Sequence, residues 1–306
     1  MASGTYTNRS NIELPTEVVA QVLQKTQEES AIMTLAQQIT LPGLGATIPV
    51  ITSDPEAQWV AETGVKPVSN PGITKKIMQA YKLAVIVPFS MEFRRDANTL
   101  YNALVARLPR ALAAKFDATV FHGSAPGSNF DVLSACTAQS LSGSAGAYAG
   151  LVAADQDIAA HNGVLNGFVI SPVGRGVLLS ETDDNNRPLF INSVAEGAIP
   201  MILGQRVYQS KAAYKAGVSP APDVVGIAGD WTQAMYGVVE GVRIDISEQA
   251  TLTAGTVESP VTINLWQQNM FAVRAEIEVG FVADTTCFNL LTAAPTGATG
   301  ATGETE

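Results

Sequence analysis

Hydrophobic and polar positions change period several times along this chain, and each change marks an element. Residues 1–11 are polar and aperiodic and read as a flexible arm. Thr16 is a candidate N-cap for a short helix whose apolar stripe is Val18, Val19, Val22 and Leu23. A second short apolar piece covers 30–39. Leu41-Pro42-Gly43-Leu44-Gly45 is a turn, and 46–51 is strand-like.

From 53 to 90 the pattern becomes that of a projecting hairpin. The extended segment Gln58-Trp59-Val60-Ala61-Glu62 is separated from a second β-like run, 73–87, by Gly64, Pro67, Asn70, Pro71 and Gly72. The first limb has too few apolar residues to fill a core. A two-stranded ribbon is marginal by itself, so this one is expected to lie on a neighbour. Ser90 then opens a long helix in which Leu100, Leu104, Leu108, Leu112, Phe116 and Val120 recur every fourth residue on one face. Ser90 suits the N-cap, Glu92 the first turn and Gly123 the stop. Residues 90–122 would span ~50 Å at ~1.5 Å per residue. Pro109 falls mid-way, removes a backbone donor and predicts a kink.

Downstream, 124–128 is a Gly/Ser/Pro linker and 140–150 is rich in small residues. Short helical and β-like pieces alternate between 148 and 229, with a helix at 151–160 and a strand at 167–170, as in an α/β region. Residues 234–239 and 242–246 predict two strands around a tight turn. The stretch 263–291 is almost continuously strand-like, with Val273, Ala275, Ile277 and Val279 alternating against Arg274, Glu276 and Glu278. Residues 295–306 repeat Thr-Gly-Ala and read as a mobile tail.

Composition adds that this surface is not an ordinary solvated one. Of 306 residues 46% are hydrophobic and only 15% charged, against ~25% in typical soluble domains. Such a chain hides surface in partners. The net charge is −10 and no basic run exceeds two residues, Lys75-Lys76 and Arg94-Arg95 being the densest. Tight nucleic-acid binding needs many phosphate-neutralising cations, so a DNA reader is excluded. Cys136 and Cys287 lie far apart without CxxC spacing and are expected to be buried, reduced and structural. The first residues lack the pattern of a signal peptide, and no stretch approaches the ~18–20 apolar residues of a membrane span.

Catalytic chemistry finds no foothold. His122 falls at a helix end and His161 in a turn-like His-Asn-Gly. No GxSxG elbow or Walker loop occurs. Gly43-Leu44-Gly45 has Ile48 where a dinucleotide fingerprint needs its third glycine. Asp183-Asp184-Asn185-Asn186 lacks calcium-loop spacing and reads as an exposed turn. No catalytic, cofactor-binding or metal residue is predicted, and no cofactor.

The order of elements resembles the tailed-bacteriophage major capsid family, the α+β Hong Kong 97-like coat fold. Glu13-Leu14-Pro15 with Glu17-Val18, and Ile48-Pro49-Val50, look like its arm and entry strand. The run from Lys82 to Ser90 (KLAVIVPFS) looks like its hairpin's return strand, and Phe116 to Gly123 (FDATVFHG) like the end of its spine helix. The stretches ILGQRV at 202–207, Gly229-Asp230-Trp231 and FAVRA at 271–275 fit the downstream pattern.

The resemblance implies an N-terminal arm and entry strand at 1–52, an E-loop hairpin at 53–89 and a P-domain with the spine helix at 90–130. An A-domain follows at 131–230, then returning strands of both domains at 231–293 and a flexible tail at 294–306. It implies self-assembly into pentamers and hexamers of an icosahedral shell enclosing double-stranded DNA, in the virion and built in the host cytoplasm. Trp59, Val60, Lys66 and Tyr81 are the inter-subunit contact candidates, and Pro109 the spine-helix kink. With the capsid region starting almost at Met1, a separate scaffolding protein is expected, besides a portal and decoration proteins. Some relatives crosslink a hairpin lysine; Lys66, Lys75 and Lys76 lie on the arm, but nothing identifies a partner. The alternative is an encapsulin-type compartment shell of the same fold.

Overall fold

The alternation of Val273, Ala275, Ile277 and Val279 against Arg274, Glu276 and Glu278 folds as a 14-residue strand on which one sheet is built. The computed structural model describes residues 30–43, 45–53, 55, 57–60, 62, 64–69, 72–92, 106–142, 146–183, 187–190, 201–218, 220–239, 241–256 and 259–295. The helix expected at 16–23 and the tail from 296 onward lie outside these.

In chain order come α1 (Ala31–Leu35), β1 (Gln37–Thr40), β2 (Ala46–Ser53), β3 (Gly72–Met78), β4 (Tyr81–Ser90), α2 (Leu108–His122), β5 (Thr137–Ser140), α3 (Gly146–Ala160), β6 (Gly167–Ile170) and α4 (Pro172–Leu179). Then follow β7 (Met201–Ile202), β8 (Gln205–Gln209), β9 (Asp223–Gly229), β10 (Ala234–Val238), β11 (Arg243–Ser247), β12 (Thr251–Thr256), β13 (Ser259–Asn264), β14 (Met270–Ala283) and β15 (Phe288–Ala293).

In the first sheet β14 pairs with β4 along one edge over ten antiparallel residue pairs. Its other edge carries β11 and β10 end to end, with β1 parallel to β10 beyond. The expected tight turn between 234–239 and 242–246 is therefore not a hairpin: both strands pair with β14, not with each other. On the inner face Val87, Val85 and Leu83 stand opposite Val273, Ala275 and Ile277. The outer face carries charges in matching register, with Lys82–Glu278 at 3.1 Å and Arg274–Asp245 at 2.6 Å. The Arg274 guanidinium holds the Asp245 carboxyl below its usual range.

The second sheet runs β5-β15-β9-β6-β8-β7. Leu151, Ala154 and Ile158 of α3 and Leu178 of α4 pack on one face with Phe168, Ile170 and Leu291. Val169, Ile227 and Leu290 face the other way, into the core shared with α2 and the first sheet. Two short crossings join the sheets directly, β9 into β10 and β14 into β15. Each crossing is a one-turn 3-10 helix, N-capped by Asp230 and by Asp284. The crossings also bond each other: Asp230 N–H donates to Cys287 O, and Asp284 N–H to Gln233 O.

The apolar stripe of α2 is buried, with Leu108, Leu112, Phe116 and Val120 at 5% exposure or less. Each such side chain stabilises the fold by about 1.5–3 kcal/mol. The uninterrupted rod expected over 90–122 is not what forms. Ser90 ends β4, Met91 and Glu92 are helical, 93–105 lie outside the described residues, and 106–107 form a turn. Pro109 accordingly sits in the first turn of α2, where no N–H is needed, and marks a helix start instead of bending a helix interior.

A two-stranded ribbon, β12–β13, leaves the body near 250 and returns near 265, burying Ile263 and Leu265 with Met270 and Ala272. The near-continuous strand read over 263–291 is broken there by a turn and again by the crossing at Asp284.

Candidate functional site

The arm is real but its limbs are not those read from the sequence. Residues 46–53 pair antiparallel with 72–78, from Ala46 opposite Met78 to Ser53 opposite Gly72. The segment at 57–60 lies beyond that ladder and is irregular. The run 73–87 is cut at 79–80: β3 belongs to the arm, whereas β4 belongs to the body.

The arm has a built seat. Gly237 and Gly280 face each other across β10 and β14. Any Cβ there would collide, at Gly237 with the Leu41 side chain and Met78 Sδ (2.8 Å), at Gly280 with the backbone oxygen of Gln79 (2.7 Å). Glycine at both positions opens a notch into which Leu41 and Met78 pack with Val282. Lys76 closes the joint, its ammonium donating to Asp131 Oδ2 (2.9 Å) and Ala283 O (2.6 Å). With both side chains partly exposed this ion pair contributes under about 1 kcal/mol; its role is direction more than strength.

Beyond the seat every described residue from 57 to 68 is exposed. Trp59 is 105% exposed, Val65 95% and Val68 89%; Val60 and Lys66 are exposed as well. Three apolar side chains near their full solvent area on a thin ribbon are a surface waiting for cover. Tyr81 is not with them. It lies half-buried in β4, its ring edge-on to Phe130 at 6.0 Å between centroids.

Tyr81 instead lines a groove of about 210 Å³ beside the root of the arm, between β4 and α2. Its floor is apolar: Leu83, Phe116, Phe130 and Val279. Lys82, Lys115 and Thr119 stand at its rim. Lys82 is paired with Glu278; Lys115 has no ion pair among the described residues. The exposed row of α2 running from this rim is Lys115, Ala111 and Arg107, with no carboxylate, whereas Arg110 and Ala114 line a separate pocket with Asp117 and Lys211.

Polar groups elsewhere are structural. Asp117, 1% exposed, accepts from Ser30 Oγ (2.5 Å) and Ala31 N–H (2.9 Å), tying α2 to the start of α1. Burial pushes its carboxyl up to about 6 against those two donors and the Ile32 N–H. His122 is bonded through Nε2 to Ala212 O at 2.8 Å, and burial lowers its pKa. His161, just past the end of α3, bonds through Nδ1 to Asp157 O of that helix. Neither has a catalytic partner among the described residues. Asp183 Oδ1 accepts from Arg187 N–H, closing the loop whose central residues lie outside the described set. Both cysteines are free; Cys287 is buried but Cys136 only half so, and burial pushes its thiol up to about 12. Among the described residues no group of three metal-ligating side chains gathers, and no helix is long and apolar enough to cross a membrane.

The model of the phage capsid family matches residues 12–285. The "Probable major capsid protein gp17" of Mycobacterium phage D29 is 29% identical over 265 residues, 84% of this chain and 82% of the relative. The "Major capsid protein" of Staphylococcus phage 80alpha is 24% identical over 291 residues, 90% and 83% of the two chains. Among solved structures, a chain from Microbacterium phage Oxtober96 superposes with a TM-score of 0.70 at 20% identity, covering 96% of both chains. One from Mycobacterium phage Adephagia does so at 0.69 and 19%, covering 87% of this chain and 91% of the other.

Proposed function

This chain belongs to the phage capsid family, and from that premise we propose that its arm is the device by which subunits join into a closed shell. The chain is a major capsid protein with the Hong Kong 97-like fold, and its family is one of structural proteins. The matches do not favour the encapsulin-type reading.

The finer assignment rests on the bare arm. Trp59, Val65 and Val68 stand in full solvent and have no stabilising role within their own subunit. Covered by a neighbour, the same side chains contribute favourably. We assign Trp59, Val60 and Lys66 to the arm's side of that contact and Tyr81 to the receiving side. In domain terms the arm is the E-loop, α2 and the first sheet belong to the P-domain, and the second sheet forms the A-domain. Pentamers and hexamers, enclosure of double-stranded DNA, and a scaffolding protein, portal and decoration proteins as partners follow from the family resemblance. So does assembly in the host cytoplasm.

Deletion of residues 65–73 tests the arm. The expected result is a folded, soluble subunit that builds no particles in electron micrographs of the overexpressed protein. Normal shells from the deletion variant would remove the arm from the account.

A further inference from the structure

We propose that the groove between β4 and α2 is the socket for Trp59 of a second copy, with Glu62 of that copy set against Lys115. This deepens the proposed role of the arm and rests on it.

The occupant is argued from three observations. First, the groove is apolar below and cationic at its rim, with Leu83, Phe116 and Phe130 in its floor and Lys115 above. It suits an aromatic side chain that brings a carboxylate. On the arm, Glu62 follows Trp59 by three residues, and the stretch 54–62 carries Asp54, Glu56 and Glu62 with no lysine or arginine. Second, the exposed row of α2 that continues from Lys115 at this rim carries Ala111 and Arg107 and no acid. The charges of the two surfaces are complementary over a stretch and not only at one pair. Third, the groove is out of reach of Trp59 of its own chain. It sits at the root of the arm, at Tyr81, whereas Trp59 lies beyond the far end of the β2–β3 ladder. That ladder alone is roughly 20 Å long at ~3.3 Å per residue, and Trp59 is fully exposed.

Plug and socket are thus different surfaces of the same subunit, which makes the contact head-to-tail. Contacts of that type close into rings when the rotation between subunits allows it. The socket's aromatic floor and the single tryptophan entering it have the composition of an interface hot spot.

The test uses the full chain. Gln58→Cys together with Thr119→Cys keeps Trp59 in place and puts a thiol on each side of the contact. Shells assembled from this variant and treated with a short bismaleimide should give covalent dimers and higher multimers on denaturing gels. Either single variant gives the background, including any from Cys136 and Cys287. Shells that form without multimers above that background overturn the socket while leaving the arm's role intact; shells from the 65–73 deletion overturn the role itself.

Charge reversal gives a second reading. Lys115→Glu should raise the subunit concentration needed for assembly by on the order of tenfold, and adding Glu62→Lys should restore it. A third leaves the contact unaltered: in Trp266→Phe subunits, where the remaining Trp231 is already buried, assembly should shift the Trp59 emission to shorter wavelength. Unshifted emission from assembled shells refutes burial of the ring.

Discussion

Asp117→Asn exposes the energetics of the join between α1 and α2. The carboxyl is 1% exposed and holds Ser30 Oγ at 2.5 Å and Ala31 N at 2.9 Å. Its pKa is raised from 3.8 to about 6, desolvation outweighing the hydrogen bonds from Ser30, Ala31 and Ile32. Below pH 3.8 it is neutral in folded and unfolded chains alike. As pH rises from there, the unfolded chain releases the proton first and gains stability; near pH 6 the folded chain releases it too and the difference stops growing. This group therefore makes the subunit progressively less stable between pH 3.8 and about 6. Two or so units at ~1.4 kcal/mol per unit give about 3 kcal/mol across the window. Asparagine fills the same space without a charge to desolvate, accepting from Ala31 and donating to Ser30. Urea unfolding of unassembled subunits at pH 4, 5, 6 and 7 measures the gap between variant and parent. Taking the difference cancels carboxylates such as Asp245, whose lowered pKa acts in the opposite sense. The gap should move in favour of the variant by about 2.5 kcal/mol from pH 4 to pH 7, the first part of the change being already present at pH 4. A gap constant with pH, or one moving in favour of the parent, refutes the assignment of a desolvated carboxyl to this site.

Gly280→Ala should cost about 2 kcal/mol, because the new Cβ would stand 2.7 Å from the Gln79 oxygen and the arm's root must shift. Faster proteolysis at 79–80 should accompany the loss, and parental stability with parental proteolysis would show the notch to be loose. Leu203 holds φ at 50° in the β7–β8 turn, which a branched side chain tolerates poorly. Leu203→Asn should therefore stabilise the subunit by about 1 kcal/mol, read as a rise of about 2 °C in Tm; a fall in Tm contradicts strain at this turn.

Legibility in the sequence followed from where each signal is written. The buried stripe of α2 and the alternation along β14 are periodic over many residues, and each element forms within the longer run that predicts it, over 108–122 and 270–283. The arm was legible as a hairpin but shifted, because 58–62 looks extended while the ladder is built from 46–53. β-Like residues in 73–90 do not say which partner they pair with. That is decided by the notch at Gly237 and Gly280, two glycines far apart in sequence that meet only after β10 and β14 pair. The break before Pro109 escaped the fourfold repeat, since periodicity in side chains continues through a backbone interruption. The groove could not have been found: its floor draws on β4, α2, Phe130 and Val279, and no local pattern joins them. The β12–β13 ribbon has only Thr, Ser, Ala and scattered aliphatics to announce it. Glu258 is the sole charge between 249 and 273, which left the stretch without a polar face to set against an apolar one.

The paired crossings at Asp230 and Asp284 give the subunit a mechanical character. Two covalent strands run between the sheets in opposite directions, latched by the reciprocal bonds Asp230 N–H to Cys287 O and Asp284 N–H to Gln233 O. A tensile load that parts the sheets is then borne by chain and by paired strands sliding lengthwise, with side-chain packing relieved of it. Under pressure from inside a closed container such a brick would stretch little and fail late, and its weakest line would lie between bricks instead of within one.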